Sequence, residues 1–269
     1  MDRFQSILLV GCGNMAGAML AGWLAGGIPA SRFTVVDPRI ETVPAGVKLL
    51  RDLPAEGSFD AVLLGVKPQG LDEVAAVLAP LVGPRSVLFS ILAGVEFSSL
   101  SARFPSAGAL VRVMPNLAVA IGKSPVALDA RGLDESGRAA VTALMDPLGT
   151  PEWLADEGLF DAVTALTGCG PAFVYRFIDS LAAGAVDLGL DEAQARRLAV
   201  AMVEGAAQLA AASEFSPGEL ADKVASPGGS TRAGMNVLDE GQALGGVVAR
   251  AMVASRDRNA EMAVEARKV

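Results

Sequence analysis

Residues 7–17, reading I-L-L-V-G-C-G-N-M-A-G, constrain this chain more than any other stretch. Four apolar residues, rich in branched side chains, read as a strand buried on both faces, as parallel strands are. The glycines directly after it let a backbone turn pass close beneath a phosphate, and the helix that follows offers unpaired N–H groups to an anion. Gly11, Gly13 and Ala16 keep the G-x-G-x-x-G/A spacing, and Asp37 closes a second apolar run at the separation where an acid bonds a ribose hydroxyl. A glycine motif alone is weak, and its plain alternative is a structural strand-turn-helix. Strand, turn, helix and distal acid together point to a dinucleotide.

The 269 residues suffice for one large or two modest domains. A net charge of −8 argues against a polyanion-binding face, so no nucleic-acid partner is expected. No charged residue lies between Arg3 and Arg32, yet glycines, Gln5 and Asn14 interrupt that run. Its periodicity also changes from a continuous strand to helical spacing at Ala16, Leu20 and Leu24, so neither a membrane span nor a signal peptide is read there. The two cysteines, Cys12 and Cys169, form no disulfide framework and fit a reducing cytoplasm. Histidine is absent, which excludes a His general base, a Ser-His-Asp triad and a His-containing zinc site. No metal site is expected. Proton transfer is left to a carboxylate, Lys, Tyr175, a Cys, a hydroxyl, water or the substrate itself.

The first half alternates. A helix over residues 14–25 ends at Gly26 and Gly27, and strands are expected at residues 33–37, 47–50, 61–66, 86–91 and 110–114, with helices at 71–81 and 97–104. This is the pattern of an α/β, Rossmann-like doubly wound sheet, whose ligands sit beyond the carboxyl ends of the strands. Gly65, Val66, Lys67 and Pro68 fall there, as do Leu92, Ala93 and Gly94, and then Asn116. Lys67 could reach a cofactor phosphate or simply be solvated. Asn116 could bond a carboxamide or cap a turn, and the turn is the stronger reading from residues alone.

From Glu135 onward the pattern becomes mostly helical, with a short strand expected at residues 152–154. The acidic pair Asp156 and Glu157 marks the expected boundary between a dinucleotide domain, 1–157, and an all-α domain, 158–269. A long apolar helix from Phe160 toward Leu188 should break or kink near Gly168, Gly170 and Pro171. The next, 191–212, is Ala-rich and apolar on too many sides for one dry face, which implies a partner helix and a homodimer. Ser216, Pro217 and Glu219 fit a capping box, with a helix to about Val224. A second glycine-rich helix entrance follows at residues 226–231, S-P-G-G-S-T. Its N–H groups could hold a small carboxylate, or it could be an ordinary capped turn.

At these residues the chain resembles the pyrroline-5-carboxylate reductase family. The colinear motifs are G-C-G-N-M-A at 11–16, V-K-P-Q at 66–69, S-I-L-A-G at 90–94, R-V-M-P-N at 112–116, D-A-V-T-A-L-T-G-C-G-P-A at 161–172 and D-K-V-A-S-P-G-G-S-T at 222–231. The last two are the family-specific ones. The resemblance implies a dinucleotide domain joined to a helical dimerisation domain, with NADPH or NADH reducing a cyclic imino acid to L-proline. By that similarity Val10, Gly11, Cys12, Gly13, Asn14 and Met15 hold the cofactor, with residues 65–68 and 92–94, and Asn116 lies near the nicotinamide. Gly229, Ser230 and Thr231 bind the substrate carboxylate, with Ser226 beside them, and the Thr231 hydroxyl serves the ring nitrogen as donor and relay. Glu157 borders that pocket. A homodimer, or a larger homo-oligomer built from dimers, is implied.

Two positions depart from the family pattern. Cys169 stands where Ser is common. At Asp37-Pro38-Arg39, Asp37 favours NADH while Arg39 could accept a 2′-phosphate, so both dinucleotides stay open. A reductase of another cyclic imino acid, and a non-catalytic dinucleotide-binding interaction protein, are the competing readings.

Overall fold

The structure, a computed structural model, describes residues 3–267. It divides into two compact units. The first takes in the described residues up to Gly168 together with those from Ser255 onward, and the second is Cys169–Ala254.

The first unit is built on one eight-stranded sheet. Its strands are β1 Ile7–Val10, β2 Phe33–Val36, β3 Lys48–Leu50, β4 Ala61–Leu64, β5 Val87–Ser90, β6 Ala109–Met114, β7 Ser124–Arg131 and β8 Gly149–Trp153. They lie in the order β3-β2-β1-β4-β5-β6-β7-β8. The strands from β3 through β6 are mutually parallel, β7 runs antiparallel to β6, and β8 runs parallel to β7. The order reverses beside β1, between β2 and β4, and this switch point opens a crevice at the strand ends.

Continuous apolar strands follow from burial on both faces. Ile7 and Leu9 enter one hydrophobic cluster with Met19, Leu20 and Trp23 of α1, Asn14–Ala25. Leu8 and Val10 enter the other, with residues of α2, Leu71–Leu78, and α3, Phe97–Arg103. Trp23 stacks on Phe33 at 5.5 Å between centroids, and its indole N–H donates to the Leu144 carbonyl at 2.7 Å. That bond ties α1 to α4, Glu135–Met145, which Asp134 caps by accepting from the Gly137 N–H.

The strand β7 is absent from the sequence expectation. Pro125 near its start argues against a strand. On the β6 side pairing starts only at Ala127, beyond the proline, while on the other side Pro125 is in register with Thr150 of β8.

After α5, Phe160–Val163, one π-helical turn spans Thr164–Gly168, where the kink is expected. The hydroxyls of Thr164 and Thr167 bond back to the carbonyls of Phe160 and Val163.

The second unit contains α6 Gly170–Asp187, α7 Glu192–Ala212, α8 Pro217–Val224, α9 Ser230–Asp239 and the start of α10, Ala243–Arg267. Its buried apolar cluster is small, centred on Ala182, Ala195 and Ala199. Large apolar side chains such as Phe177, Leu198, Met202 and Leu209 stay exposed. Among the described residues no helix is long and apolar enough to cross a membrane.

Gly22 lets α1 approach the turn Leu117–Ile121: a Cβ there would stand 2.1 Å from the Val119 carbonyl oxygen. Gly22→Ala should therefore destabilise the protein by about 3 kcal/mol. Gly17→Ala, whose Cβ would make only ordinary contacts, should stay within about 1 kcal/mol of wild type. Urea midpoints of the two variants check this ranking.

Candidate functional site

The site begins where β1 ends. Gly11 has φ +83°, and a Cβ on it would lie 2.9 Å from the Gly65 carbonyl oxygen. Reciprocally, a Cβ on Gly65 would lie 2.5 Å from the Gly11 oxygen and 2.8 Å from the Ala16 Cβ. The turns after β1 and β4 thus pass each other backbone to backbone. Each is also anchored by its own bond, Gly11 N–H to the Val36 carbonyl at 2.8 Å and Gly65 N–H to the Val10 carbonyl at 2.9 Å.

Gly13 is the N-cap of α1, and open space lies where its Cβ would be. No side chain caps that helix, and no acidic residue sits in its first turn. Its first N–H groups and the positive end of its dipole therefore face a crevice suited to an anion.

That crevice, about 890 Å³, gathers most of the expected cofactor residues: Val10, Gly11, Gly13, Asn14, Met15, Asp37, Arg39, Gly65, Val66 and Lys67 all line it. A neighbouring cavity of about 310 Å³ shares Val66 and adds Pro68, Leu92 and Ala93. Gly94 and Glu157 line a third hollow with Arg112 and Arg131. Cys12 does not line the crevice. Its N–H donates to Asp37, and burial, followed by the charge of Asp37, pushes its thiol above the ordinary value. Asn116 caps a turn by accepting from the Ala118 N–H, and its amide donates to the Thr167 carbonyl at 3.0 Å.

Asp37 is buried at the crevice wall. Its Oδ2 accepts from Cys12 N–H at 2.9 Å, and its Oδ1 accepts from the N–H groups of Arg39 at 2.8 Å and Ile40 at 3.4 Å. Burial opposes its ionisation, but these three bonds and the Arg39 charge prevail and hold the carboxyl below its ordinary value. The acid braces the glycine turn. Arg51, which the sequence reading passed over, lines the same wall and donates to the carbonyls of Asp37 and Ile40. Its position just past β3, at a strand's carboxyl end, is the signal that could have found it.

Arg112 opens the motif at residues 112–116. It stands within β6 with a side chain 4% exposed, and a charge buried in an apolar strand requires a partner. Its Nη1 donates to Glu157 Oε1 at 2.9 Å, and its guanidinium lies 3.9 Å over the Phe160 ring. Burial presses Arg112 below its ordinary value, against the pull of Glu157. The same Oε1 accepts from Phe97 N–H at 2.8 Å, and Oε2 accepts from Arg131 at 3.1 Å.

Ser226, Gly229, Ser230 and Thr231 belong to the second unit, at the turn between α8 and α9. Gly228 has φ +74°, Gly229 is the N-cap of α9, and no side chain caps that helix. A Cβ on Gly229 would lie 2.7 Å from Ser226 Oγ and 3.1 Å from the Ser226 carbonyl oxygen, so the turn is close-packed there. Arg232 donates back to Asp222 and to the Ala225 carbonyl, which fixes the entrance of α9 against α8. Ser230 and Thr231 are exposed. Among the described residues no group of His, Cys, Asp or Glu could hold a metal.

A family model described as pyrroline-5-carboxylate reductase dimerisation matches residues 157–262. The chain is 32% identical to pyrroline-5-carboxylate reductase of Pseudomonas aeruginosa over 270 residues, 96% of each chain. The structure of a pyrroline-5-carboxylate reductase from Coxiella burnetii superposes with a TM-score of 0.87 at 27% identity, covering 97% of this chain and 98% of that one. The Plasmodium falciparum pyrroline carboxylate reductase, solved with NADP bound, shares the fold with a TM-score of 0.84 at 24% identity, covering 98% and 99%.

Asp37→Ala leaves three N–H groups without their acceptor and should cost about 2–3 kcal/mol in urea unfolding. The depressed folded pKa makes the wild-type advantage complete above the unfolded value of 3.8, and it fades as pH falls through the lower folded value. The gap between the two unfolding curves should be constant near neutrality and close only in acid.

Proposed function

The chain belongs to the pyrroline-5-carboxylate reductase family, and from that premise we propose how its residues divide the reaction. It is an oxidoreductase that reduces 1-pyrroline-5-carboxylate to L-proline, with NAD(P)H as hydride donor. It forms a homo-oligomer.

The observation that carries the assignment of the cofactor site is the uncapped N-terminus of α1 beneath an open Gly13. Such a cradle fits a pyrophosphate, which the N–H groups of residues 14–16 would hold, while Gly11 and Gly65 keep the turn beneath it thin. Bound there, the dinucleotide supplies the hydride. Leu92, Ala93 and Gly94 would face its nicotinamide half.

The substrate role falls to Ser226, Gly229, Ser230 and Thr231. Backbone N–H groups at the start of α9 hold the carboxylate, because that helix end has neither a side-chain cap nor an acidic residue in its first turn. A protonated C=N bond is already electrophilic, so placement matters more than a strong acid, which suits a chain without histidine. When the bound imine is neutral, Thr231 Oγ1 donates to the ring nitrogen or orders the water that does.

The cofactor is NADPH in preference to NADH. Asp37 already accepts three backbone N–H bonds, while Arg39 and Arg51 line the same wall, where a 2′-phosphate would meet two guanidinium groups. The exposed apolar side chains of α6 and α7 support assembly as a homodimer, the unit from which any larger oligomer is built. The two free cysteines support a cytoplasmic setting.

Addition of pyrroline-5-carboxylate should oxidise NADPH in the presence of the purified protein; no oxidation of either dinucleotide would refute the reading. Thr231→Ala should lower kcat on the order of 10²-fold at alkaline pH and much less where the imine arrives protonated, so a uniform loss across pH refutes the proton role. Arg39→Ala should reduce kcat/KM with NADPH about tenfold and leave NADH within about twofold, the loss expected for one charge-assisted hydrogen bond.

A further inference from the structure

Glu157 is the acid whose similarity-based role, at the border of the imine pocket, fits its surroundings least. Both of its carboxylate oxygens are spent inside the first unit, on Arg112, Arg131 and the Phe97 N–H. The last of these bonds has a mechanical consequence. The first N–H groups of a helix have no partner within it, and Glu96, the N-cap of α3, makes no capping bond of its own. Glu157 caps α3 from a distance of 60 residues in sequence, and its negative charge favours that helix end.

Only six residues, 91–96, connect the end of β5 to α3. Leu92, Ala93 and Gly94 are among them, turned back by Gly94 at φ +75° and by the Val95 N–H to Leu92 carbonyl bond at 3.3 Å. A connection this short takes its position from its two anchors. One anchor is β5, which is fixed in the sheet. The other is the first turn of α3, which Glu157 holds through a carboxylate kept in place by the buried Arg112. On its far side the loop has no slack, because a Cβ on Gly94 would stand 3.0 Å from the Ala263 nitrogen of α10.

We propose that Glu157 is a positioning residue for the dinucleotide: by capping α3 it sets the loop of residues 92–94, and it does not touch the imino acid. The inference rests on the reading above that this loop meets the cofactor. What matters is the reach of the carboxylate to the Phe97 N–H, which two conservative variants separate from its charge. Glu157→Asp keeps the negative charge but withdraws by one methylene the oxygen that serves both the Phe97 N–H and Arg112. Glu157→Gln keeps the reach and loses the charge.

The experiment titrates NADPH into each protein by calorimetry without substrate, then measures both KM values, with circular dichroism to confirm the fold. Glu157→Asp should weaken NADPH binding about three- to tenfold, the ratio for one hydrogen bond, and Glu157→Gln by less than about twofold, even if its melting temperature falls. The KM for pyrroline-5-carboxylate should stay within about twofold in both. Unchanged NADPH binding in Glu157→Asp, or a raised imino-acid KM in either variant, overturns the proposal. Should Glu157→Gln fail to fold, the comparison of Glu157→Asp with wild type decides by itself. Wild-type protein that binds no dinucleotide would instead overturn the functional reading on which the proposal rests.

Discussion

Two turns, one after β1 and one after β4, cross with so little space between them that neither Gly11 nor Gly65 has room for a Cβ. This close approach follows from neighbouring parallel strands in one sheet, and it decides what can happen above them. The helix α1 starts immediately beyond, and the thin crossing leaves its N-terminus exposed at the floor of the crevice instead of covered by side chains. Gly13 keeps that end open and Asp37 keeps the turn in one shape. A side chain at either crossing point would separate β1 from β4 at the point where the crevice forms.

The chain handles anions without relying on net positive charge. It carries −8 overall, yet the dinucleotide and the imino acid are both anions. On the proposed assignment, two uncapped helix entrances with glycine at the N-cap, Gly13 and Gly229, would reconcile these demands, because backbone N–H groups attract an anion locally whatever the total charge. Charged side chains serve chiefly as braces: Asp37 on the first turn, Arg232 behind the second, and the Arg112–Glu157 pair under α3. The buried Arg112 is made tolerable by Glu157 and the Phe160 ring, which both meet it, with the charges of Asp161 and Glu96 in support.

Local features were legible in the sequence. The strand and glycine turn at residues 7–17 and the capping box of Ser216 and Glu219 are set by neighbours a few positions apart, and the structure has both. Asp37 was legible in place but not in contact, since spacing alone cannot say that its oxygens are taken by backbone N–H groups. The strand β7 was hidden by Pro125, which stands before the pairing with β6 begins. The Glu157 contacts with Phe97 and Arg112 span 60 and 45 residues, beyond any local pattern, and the arginine inside an apolar strand was a signal left unread. The grouping of residues from Ser255 onward with the first unit likewise depends on tertiary packing.

In the proposed reaction a hydride passes directly from the dinucleotide in the β1/β4 crevice to the carbon of a C=N bond. NADPH carrying deuterium at the transferable position of its nicotinamide C4 tests this with one product spectrum. Direct transfer should give proline with a single deuterium on the ring carbon formerly double-bonded to nitrogen, incorporated in normal water without loss. Proline without deuterium there, or with hydrogen drawn from the solvent at that carbon, would contradict it.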